Sequence, residues 1–249
     1  MDEPRVAAVV LAAGGGERIA GPTNKVLLPI GGRPMLTWSL ELFERLRDVQ
    51  TVVLVVPDRN RSAYESVVRE AGLQKVKHIV PGGGSRHESE YLGLLAIVDA
   101  IAAASIDLVL VHDAARPFAR PDRVEAVTQE AGRTGAAILA IPATERIVAL
   151  GPGQAVEDIG AGLWVAQTPQ AFRATLVLDA HRRADRDGFQ GTDTSSVVER
   201  LGERVSVVAD RPDNIKITTP DDLLRAELIA EQLGAHEDDV LLGALWPRT

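Results

Sequence analysis

The 249-residue chain contains no cysteine, and aromatic side chains make up only 4% of it. Without cysteine, disulfide bonds and thiolate metal sites are excluded, and the composition fits a reducing compartment. No apolar run approaches the roughly 20 residues that a membrane-spanning helix requires. The opening Met-Asp-Glu-Pro-Arg leads straight into a strand-like run and lacks the layout of a signal peptide. We therefore expect a cytoplasmic protein with no membrane partner.

The balance of charge is negative, with a formal net charge of −8 at pH 7. This argues against a broad nucleic-acid-binding surface, although it leaves room for a local basic pocket that takes a phosphorylated small molecule. Hydrophobic residues at 45% and charged residues at 25% are ordinary values for a globular protein. We predict a single domain over residues 1–235, followed by a tail over 236–249 to which we assign no function.

Short β-branched runs alternate with apolar residues at helical spacing along the chain. The predicted strands are 6–11, 51–56, 76–80, 108–112 and 136–141. The predicted helices are 35–46, 62–71, 89–103, 121–134 and 221–233. Because strands separated by helices of this length form βαβ units, the pattern predicts an α/β fold. We expect a Rossmann-like three-layer α/β/α arrangement with a mostly parallel central sheet.

Residues 142–167 interrupt this alternation. Glycine and proline at 151–153 separate two short β-prone pieces, which predicts an inserted β-arm. Such an arm either packs on a neighbouring subunit, giving a homodimer, or is a plain surface hairpin. The sequence leaves both interpretations open.

A glycine-rich segment, VVLAAGGGERIAGPTNK, follows the first predicted strand. Such a turn at the carboxyl end of a strand can bring backbone N–H groups close to phosphate oxygens. The dinucleotide fingerprint fails because Ile19 stands where its third glycine is needed, which disfavours a dinucleotide-dependent oxidoreductase. The P-loop fails because Pro-Thr follows its second glycine in place of Lys-Ser/Thr. What remains is either a turn with solvated cations or a loop from which Arg18 and Lys25 reach a triphosphate.

Six motifs carry a family resemblance. The segment LAAGGGERIAGPTNKVLLPIGGRPML resembles the signature of sugar-nucleotide and polyol-phosphate nucleotidyltransferases. Motifs similar to those of cytidylyltransferases follow in order: PGGGSRHESEYLGL (81–94), VLVHDAARPF (109–118), GLWVAQTPQAF (162–172), GTDTSSVVERLG (191–202) and NIKITTPDDL (214–223). Together they cover most of the chain. It resembles the 2-C-methyl-D-erythritol 4-phosphate cytidylyltransferase family and its ribitol-5-phosphate relatives.

The resemblance implies a reaction between two anionic substrates. CMP would pass from CTP to 2-C-methyl-D-erythritol 4-phosphate, releasing pyrophosphate, in the non-mevalonate route to isoprenoids. A site for this reaction must neutralise charge by positioning and electrostatics, without a covalent intermediate. The resemblance also implies Mg²⁺ as cofactor and a homodimer formed through the arm. Two alternatives stay open: a cytidylyltransferase for another polyol phosphate such as ribitol 5-phosphate, and a CTP-binding homologue without catalysis.

The resemblance also assigns roles to residues. Catalytic cations that stabilise the α-phosphate and the leaving pyrophosphate would be Arg18, Lys25 and Lys216. Nucleotide-binding residues would be Ala12, Ala13, Gly14, Gly15, Gly16, Gly82, Gly83, Arg86, Ser89 and Ala114. Residues near the second substrate would be Asp113, Thr168 and Thr192, and to these we add Arg146 as a hypothesis of our own. Asp113 would in addition hold Mg²⁺, a hard cation that prefers carboxylate, phosphate and water oxygens.

Several of these motif residues also have a plainer interpretation. Asp113 could accept hydrogen bonds from loop N–H groups, and Lys216 could be a solvated side chain. We expect His112 to be a satisfied imidazole at a strand end, and Arg116 to tie down its own loop. Asp193 is expected to cap or order its loop.

Positions in the loop and the arm depart from the family pattern. Asn24 stands where a proline usually precedes the loop lysine, and we expect this to alter loop stiffness more than charge. In the arm, PATERIV places Glu145, Arg146 and Val148 at the family's Asp, Thr and Lys. Gly160 stands where the family usually has an arginine. We therefore hypothesise that Arg146 supplies the missing positive charge for the acceptor's phosphate.

Overall fold

The computed structural model describes residues 3–14, 24–150 and 156–237 of the chain. The strands are β1 (Val6–Leu11), β2 (Pro29–Ile30), β3 (Arg33–Pro34), β4 (Val49–Val56), β5 (Val76–Pro81), β6 (Leu108–Asp113), β7 (Ala136–Pro142), β8 (Val148–Leu150), β9 (Val156–Asp158), β10 (Trp164–Arg173) and β11 (Ser206–Ala209). The helices are α1 (Met35–Arg45), α2 (Arg61–Glu70), α3 (Arg86–Leu95), α4 (Val98–Ala102), α5 (Pro121–Thr134), α6 (Ala174–Arg186), α7 (Thr194–Glu199) and α8 (Pro220–Glu237).

A seven-stranded sheet with the order β11-β7-β10-β6-β1-β4-β5 forms the centre of the fold. Neighbouring strands are parallel except around β10, which runs antiparallel to both β6 and β7. The mostly parallel α/β sheet predicted from the sequence is therefore confirmed. Within the described ranges, no helix is both long and apolar enough to cross a membrane.

Both faces of the sheet are buried, which explains the near-continuous apolar strands. In β1, Val6, Ala8 and Val10 face one core, while Ala7 and Val9 face the other. Helices α1, α2, α5 and α8 cover the first core, and α3, α4, α6 and α7 cover the second. The predicted three-layer arrangement follows from this alternation.

The structure differs from the predicted elements in two ways. The predicted helix 89–103 is two helices, because Ile97 (φ −122°, ψ 15°) leaves the helical region between α3 and α4. Six further elements were not predicted: β2, β3, β10, β11, α6 and α7. Strand β10 contains Gln, Thr and Pro in its middle, and this hides a strand pattern. In contrast, α6 carries apolar residues at helical spacing, a signal that the sequence did offer.

The arm leaves the central sheet and returns to it at the same edge. Strands β8 and β9 pair with each other, with Val148 opposite Asp158. The last part of the predicted range 142–167 belongs to β10, whose Trp164 pairs with Pro142 at the end of β7. Helix α8 continues to Glu237, and the rest of the predicted tail lies outside the described residues.

Close packing of α3 on the sheet makes Gly93 a test of the fold. A Cβ atom at Gly93 would lie 2.6 Å from Val9 Cγ1 and 3.0 Å from Val55 Cγ2. We expect Gly93→Ala to lower the free energy of unfolding by about 1–3 kcal/mol, measured by urea denaturation. In the matched control, Gly132→Ala in α5, the new Cβ would lie 3.9 Å from Leu108 Cδ1. The control should raise stability by about 0.5–1 kcal/mol. Equal effects of the two substitutions would contradict this packing.

Candidate active site

A cleft of about 800 Å³ opens beside the carboxyl ends of β1 and β6. The described residues that line it are Leu11, Ala12, Ala13, Gly14, Lys25, Val26, Gly83, Gly84, Ser85, Arg86, Ser89, Asp113, Ala115, Lys216 and Thr218. Ligands of open α/β sheets bind at this edge. The structure thus brings together residues of four of the six sequence motifs.

Asp113, the last residue of β6, is the anionic centre of the cleft. Its Oδ1 accepts a hydrogen bond from Arg86 Nη1 at 2.7 Å, and its Oδ2 accepts one from Lys216 Nζ at 2.7 Å. Burial of this carboxyl acts to raise its pKa, but the charges of Arg86 and Lys216 outweigh burial and hold the pKa of Asp113 well below its usual range. Asp113 therefore remains ionised, and both cations are fixed at the cleft.

A buried hydrogen-bond chain supports Asp113 from behind. The Asp113 backbone N–H donates to Thr168 Oγ1 at 3.0 Å, and Thr168 Oγ1 lies 3.2 Å from His112 Nδ1. Burial lowers the pKa of His112 to about 4, so the imidazole is neutral at pH 7. Its Nε2 lies 3.1 Å from the Arg116 carbonyl oxygen, which requires Nε2–H as donor and Nδ1 as acceptor of the Thr168 hydroxyl. His112 is the satisfied imidazole expected from the sequence.

The segment that carries Lys216 is tied to the loop after β6. The Asn214 side-chain amide donates to the Thr168 carbonyl at 2.9 Å. Arg116 Nη1 in turn donates to the Asn214 carbonyl at 2.8 Å. Arg116 therefore joins two segments rather than only its own loop, and together these bonds set Lys216 opposite Asp113.

Asn24 attaches the turn that carries Lys25 to the end of β1. Its Nδ2 donates to the carbonyl oxygens of Ala12 at 3.0 Å and Gly14 at 3.1 Å. Lys25 Nζ donates to the Ile217 carbonyl at 2.7 Å, on the same segment as Lys216. Hydrogen bonds from the Asn24 amide thus restrain the turn without adding charge.

The opposite wall of the cleft depends on glycine. A Cβ atom at Gly82 would lie 2.4 Å from Ala13 Cβ and 2.9 Å from Ser89 Oγ. The Gly83 N–H donates to Ser89 Oγ at 3.0 Å. Only glycine at position 82 lets the start of α3 approach β1 this closely.

Some lining residues were not predicted. Ser85 is the N-cap of α3, and its side chain accepts a hydrogen bond from the Glu88 N–H at 3.1 Å. The pattern Ser-x-x-Glu is a helix-start signature that the sequence did display. Thr218 also lines the cleft, and its N–H donates to Asp222 at 2.8 Å. Its place follows from the fold alone, without a sequence signal.

Other predicted site residues do not line the described part of the cleft. Gly82, Ala114 and Thr168 pack behind it, while Thr192 and Arg146 are exposed and are absent from its lining. Next to Thr192, Asp193 caps α7 by accepting a hydrogen bond from the Ser196 N–H at 3.0 Å. The remaining predicted residues, Arg18, Gly15 and Gly16, lie outside the described residues. Their roles stay predictions.

A glycine-lined cleft with fixed cations, at the carboxyl edge of a mostly parallel sheet, defines a nucleotide-binding α/β protein. More specifically, the chain belongs to the 2-C-methyl-D-erythritol 4-phosphate cytidylyltransferase (IspD) family, which it matches over residues 6–232. It is therefore a member of a family of nucleotidyltransferases.

Individual relatives agree with this assignment. The chain is 41% identical over 227 residues to the 2-C-methyl-D-erythritol 4-phosphate cytidylyltransferase of Shouchella clausii, covering 91% of this chain and 96% of that protein. The crystal structure of 4-diphosphocytidyl-2C-methyl-D-erythritol synthase from Anaerococcus prevotii is similar with a TM-score of 0.79 and 27% identity, over 92% of this chain and 100% of that one. The Thermus thermophilus cytidylyltransferase structure gives a TM-score of 0.67 and 31% identity, over 90% and 98% of the two chains.

The lowered pKa of Asp113 predicts a pH-dependent contribution to stability. A carboxyl whose pKa is depressed on folding stabilises the protein above the unfolded pKa of about 3.9, and this contribution is lost as the pH falls. We expect the wild type to be more stable than Asp113→Asn at pH 5, and the gap to narrow by about 1 kcal/mol at pH 3. Urea unfolding without nucleotide or divalent cations measures this difference in the free energy of unfolding at each pH. A gap that is equal at the two pH values would contradict the ionised pair.

Proposed function

We propose that this protein transfers CMP from CTP to 2-C-methyl-D-erythritol 4-phosphate. The reaction releases pyrophosphate and yields 4-diphosphocytidyl-2-C-methyl-D-erythritol for isoprenoid biosynthesis. The observation that carries the proposal is the pairing of Asp113 with Arg86 and Lys216 in a glycine-lined cleft. The choice of these two substrates is supported by relatives named 2-C-methyl-D-erythritol 4-phosphate cytidylyltransferase, which match about nine-tenths of the chain.

The chemistry needs charge and alignment more than proton transfer. An oxygen of the acceptor's phosphate, already ionised at neutral pH, attacks the α-phosphorus of CTP, and the bond to pyrophosphate breaks. No proton has to be removed from the nucleophile, which agrees with a cleft whose described lining contains no imidazole. The rate enhancement would come from positioning and from cations at the reacting phosphate.

Two lysines are the cations we assign to this task. Lys25 reaches the cleft from the turn after the glycine-rich segment, and Lys216 from the segment before α8. Both ammonium groups are held by oxygens of the chain, so a triphosphate would meet charges already in place. Arg18 keeps its predicted role as a further cation on the pyrophosphate side, and the backbone of Ala12–Gly14 with Gly83 would hold the nucleotide.

The residues at the cleft fit Mg²⁺ bound together with the nucleotide. Among the described residues, no group of three or more His, Asp or Glu side chains could form a metal cage. Mg²⁺ at nucleotide sites takes one or two carboxylates and completes its shell with phosphate and water. Asp113 offers one such carboxylate and would hold the ion, which supplies neutralisation of phosphate charge when bound.

The arm is our candidate for the acceptor side and for a homodimer contact. Large apolar side chains are exposed along it: Ile147 at 40%, Leu150 at 66%, Ile159 at 43%, Trp164 at 46% and Val165 at 45%. Exposed apolar residues concentrated in one segment are typical of a protein–protein contact. We propose that a second copy of the chain covers them and that Arg146 on the same arm serves the acceptor's phosphate.

A panel of acceptors tests the reaction. The protein is incubated with CTP, Mg²⁺ and individual polyol phosphates, and pyrophosphate release is measured. We expect turnover with 2-C-methyl-D-erythritol 4-phosphate. Turnover only with ribitol 5-phosphate or another polyol phosphate would support that alternative, and CTP binding without release would indicate a non-catalytic homologue.

One lysine variant tests the role of Lys216 in this assay, and a second variant serves as its control. Lys216→Ala should lower kcat/KM by on the order of 10²-fold, because it removes a cation from the reacting phosphates. Lys77→Ala, an exposed lysine on β5, should leave the rate unchanged.

Arg146→Ala tests the relocated cation. We expect the KM for the acceptor to rise by about tenfold, since a charged hydrogen bond to phosphate contributes roughly 1.5–3 kcal/mol. The KM for CTP should stay constant, and Arg182→Ala on the exposed face of α6 should change neither constant. An acceptor KM that is unaffected by Arg146→Ala would refute the hypothesis.

A further inference from the structure

Glu90 is a buried carboxylate that the proposed reaction does not use. It lies on α3, one turn after Arg86, with 1% of its side chain exposed. Its Oε1 accepts a hydrogen bond from Arg86 Nε at 2.8 Å. Burying a carboxylate is costly unless a cation and hydrogen bonds compensate for the lost water. Arg86 provides this compensation and is at the same time a residue of the cleft.

The Arg86 guanidinium connects two carboxylates through different nitrogens. Its Nε donates a hydrogen bond to Glu90, while its Nη1 donates one to Asp113 Oδ1. A planar guanidinium held at two edges cannot turn without losing one of the bonds. Glu90 thereby fixes the plane of Arg86, and the single-nitrogen contact with Asp113 leaves Oδ2 to Lys216.

Neutral imidazoles surround the other side of Glu90. Glu90 Oε2 lies 3.5 Å from His181 Nε2 on α6, and the His181 ring stacks on His87 at a centroid distance of 4.7 Å. Burial lowers the pKa of His181 to about 3, with His87 adding to the effect, and burial also lowers that of His87 despite the opposing charge of Asp185. Both rings are therefore uncharged near pH 7, and the charge that Glu90 faces from its own helix is that of Arg86.

The charges of the cluster balance. When Glu90 is ionised, Arg86 and Lys216 supply two positive charges, and Glu90 and Asp113 supply two negative ones. The Thr194 hydroxyl of α7 lies near the Glu90 carboxylate and acts to lower the pKa of Glu90. Glu90 acts on the cleft only through Arg86, since it does not line the cleft itself.

We propose that Glu90 is a positioning residue, which holds the Arg86 guanidinium in the orientation that bonds Asp113 and faces the nucleotide. This rests on the proposed function for its kinetic readout. Without the Glu90 charge, Arg86 is free to turn toward Asp113 and to compete with Lys216 for that carboxylate.

The ionisation of Glu90 gives this role a signature. Burial raises the pKa of Glu90 to about 7, with Arg86 opposing the shift. A carboxyl with a raised pKa favours folding in its protonated form, so its contribution to stability falls as the pH rises toward 7. Positioning, by contrast, needs the ionised form and is lost as the pH falls below 7. A positioning role therefore makes nucleotide binding and stability change in opposite directions with pH.

Glu90→Gln tests the proposal because it keeps size and removes charge. At pH 8 we expect kcat/KM for CTP to fall by about tenfold and CTP affinity, measured by calorimetry with Mg²⁺, to fall with it. The acceptor KM and the stability at pH 8 should not worsen. The wild type should lose CTP affinity from pH 8 to pH 6 more steeply than the variant. The titration of CTP itself is common to both proteins and cancels in their ratio.

Matched variants separate positioning from a structural role. Glu65→Gln removes a carboxylate from the exposed Arg61–Glu65 pair of the same spacing on α2, and should have no effect on CTP. The Arg86→Lys variant lacks the planar guanidinium that Glu90 would orient. Adding Glu90→Gln to this variant should therefore lower CTP affinity little further.

Two outcomes would overturn the positioning role. One is a Glu90→Gln protein with wild-type CTP affinity at every pH. The other is that the losses of CTP affinity caused by Arg86→Lys and by Glu90→Gln add up in the double variant. Failure of the proposed function is distinguishable, because it would be a wild type that binds CTP without turning over any acceptor. In that case CTP affinity alone still decides the role of Glu90.

Discussion

The ion pairs of Asp113 with Arg86 and Lys216 are the interaction on which the rest of the site depends. They join the end of β6, the start of α3 and the segment before α8, three parts of the chain that are far apart in sequence. A carboxylate buried at a strand end needs compensating charge, and cations beside a phosphate site need an anchor. The Asp113 carboxylate and the two cations meet each other's requirement, so the site is organised before any substrate enters.

Much of the fold could be predicted because its physical signals are local. The strands of the central sheet are apolar on both faces, and their helices carry regular apolar spacing, so the layers follow from the sequence. Many of the cleft residues could be predicted, because they stand in motifs that resemble those of a known family. Strand β10 escaped because Gln167, Thr168 and Gln170 are polar groups that other segments satisfy within the fold. A polar strand of this kind has no recognisable period in the sequence.

The contacts that were not predicted are side-chain bonds between distant elements. Arg86 and Glu90 stand at helical spacing in the sequence, but an exposed pair such as Arg61 and Glu65 has the same spacing. The packing of α6 on α3 distinguishes the buried pair from the exposed one. In the same way, the hydrogen bonds of Asn24 depend on where the end of β1 lies. Sequence patterns predict elements and sites, whereas the supports of a site depend on packing.

The reversed direction of β10 has a consequence for how such a protein can change. Because β10 runs against β7, the arm departs at Pro142 and rejoins at Trp164 on one rim of the sheet, beside the nucleotide cleft. Between these two residues, the chain can be lengthened, shortened or recomposed without shifting the pairing of a core strand. The arm is thus a segment whose sequence and length can vary while the strands that position the cleft keep their pairing.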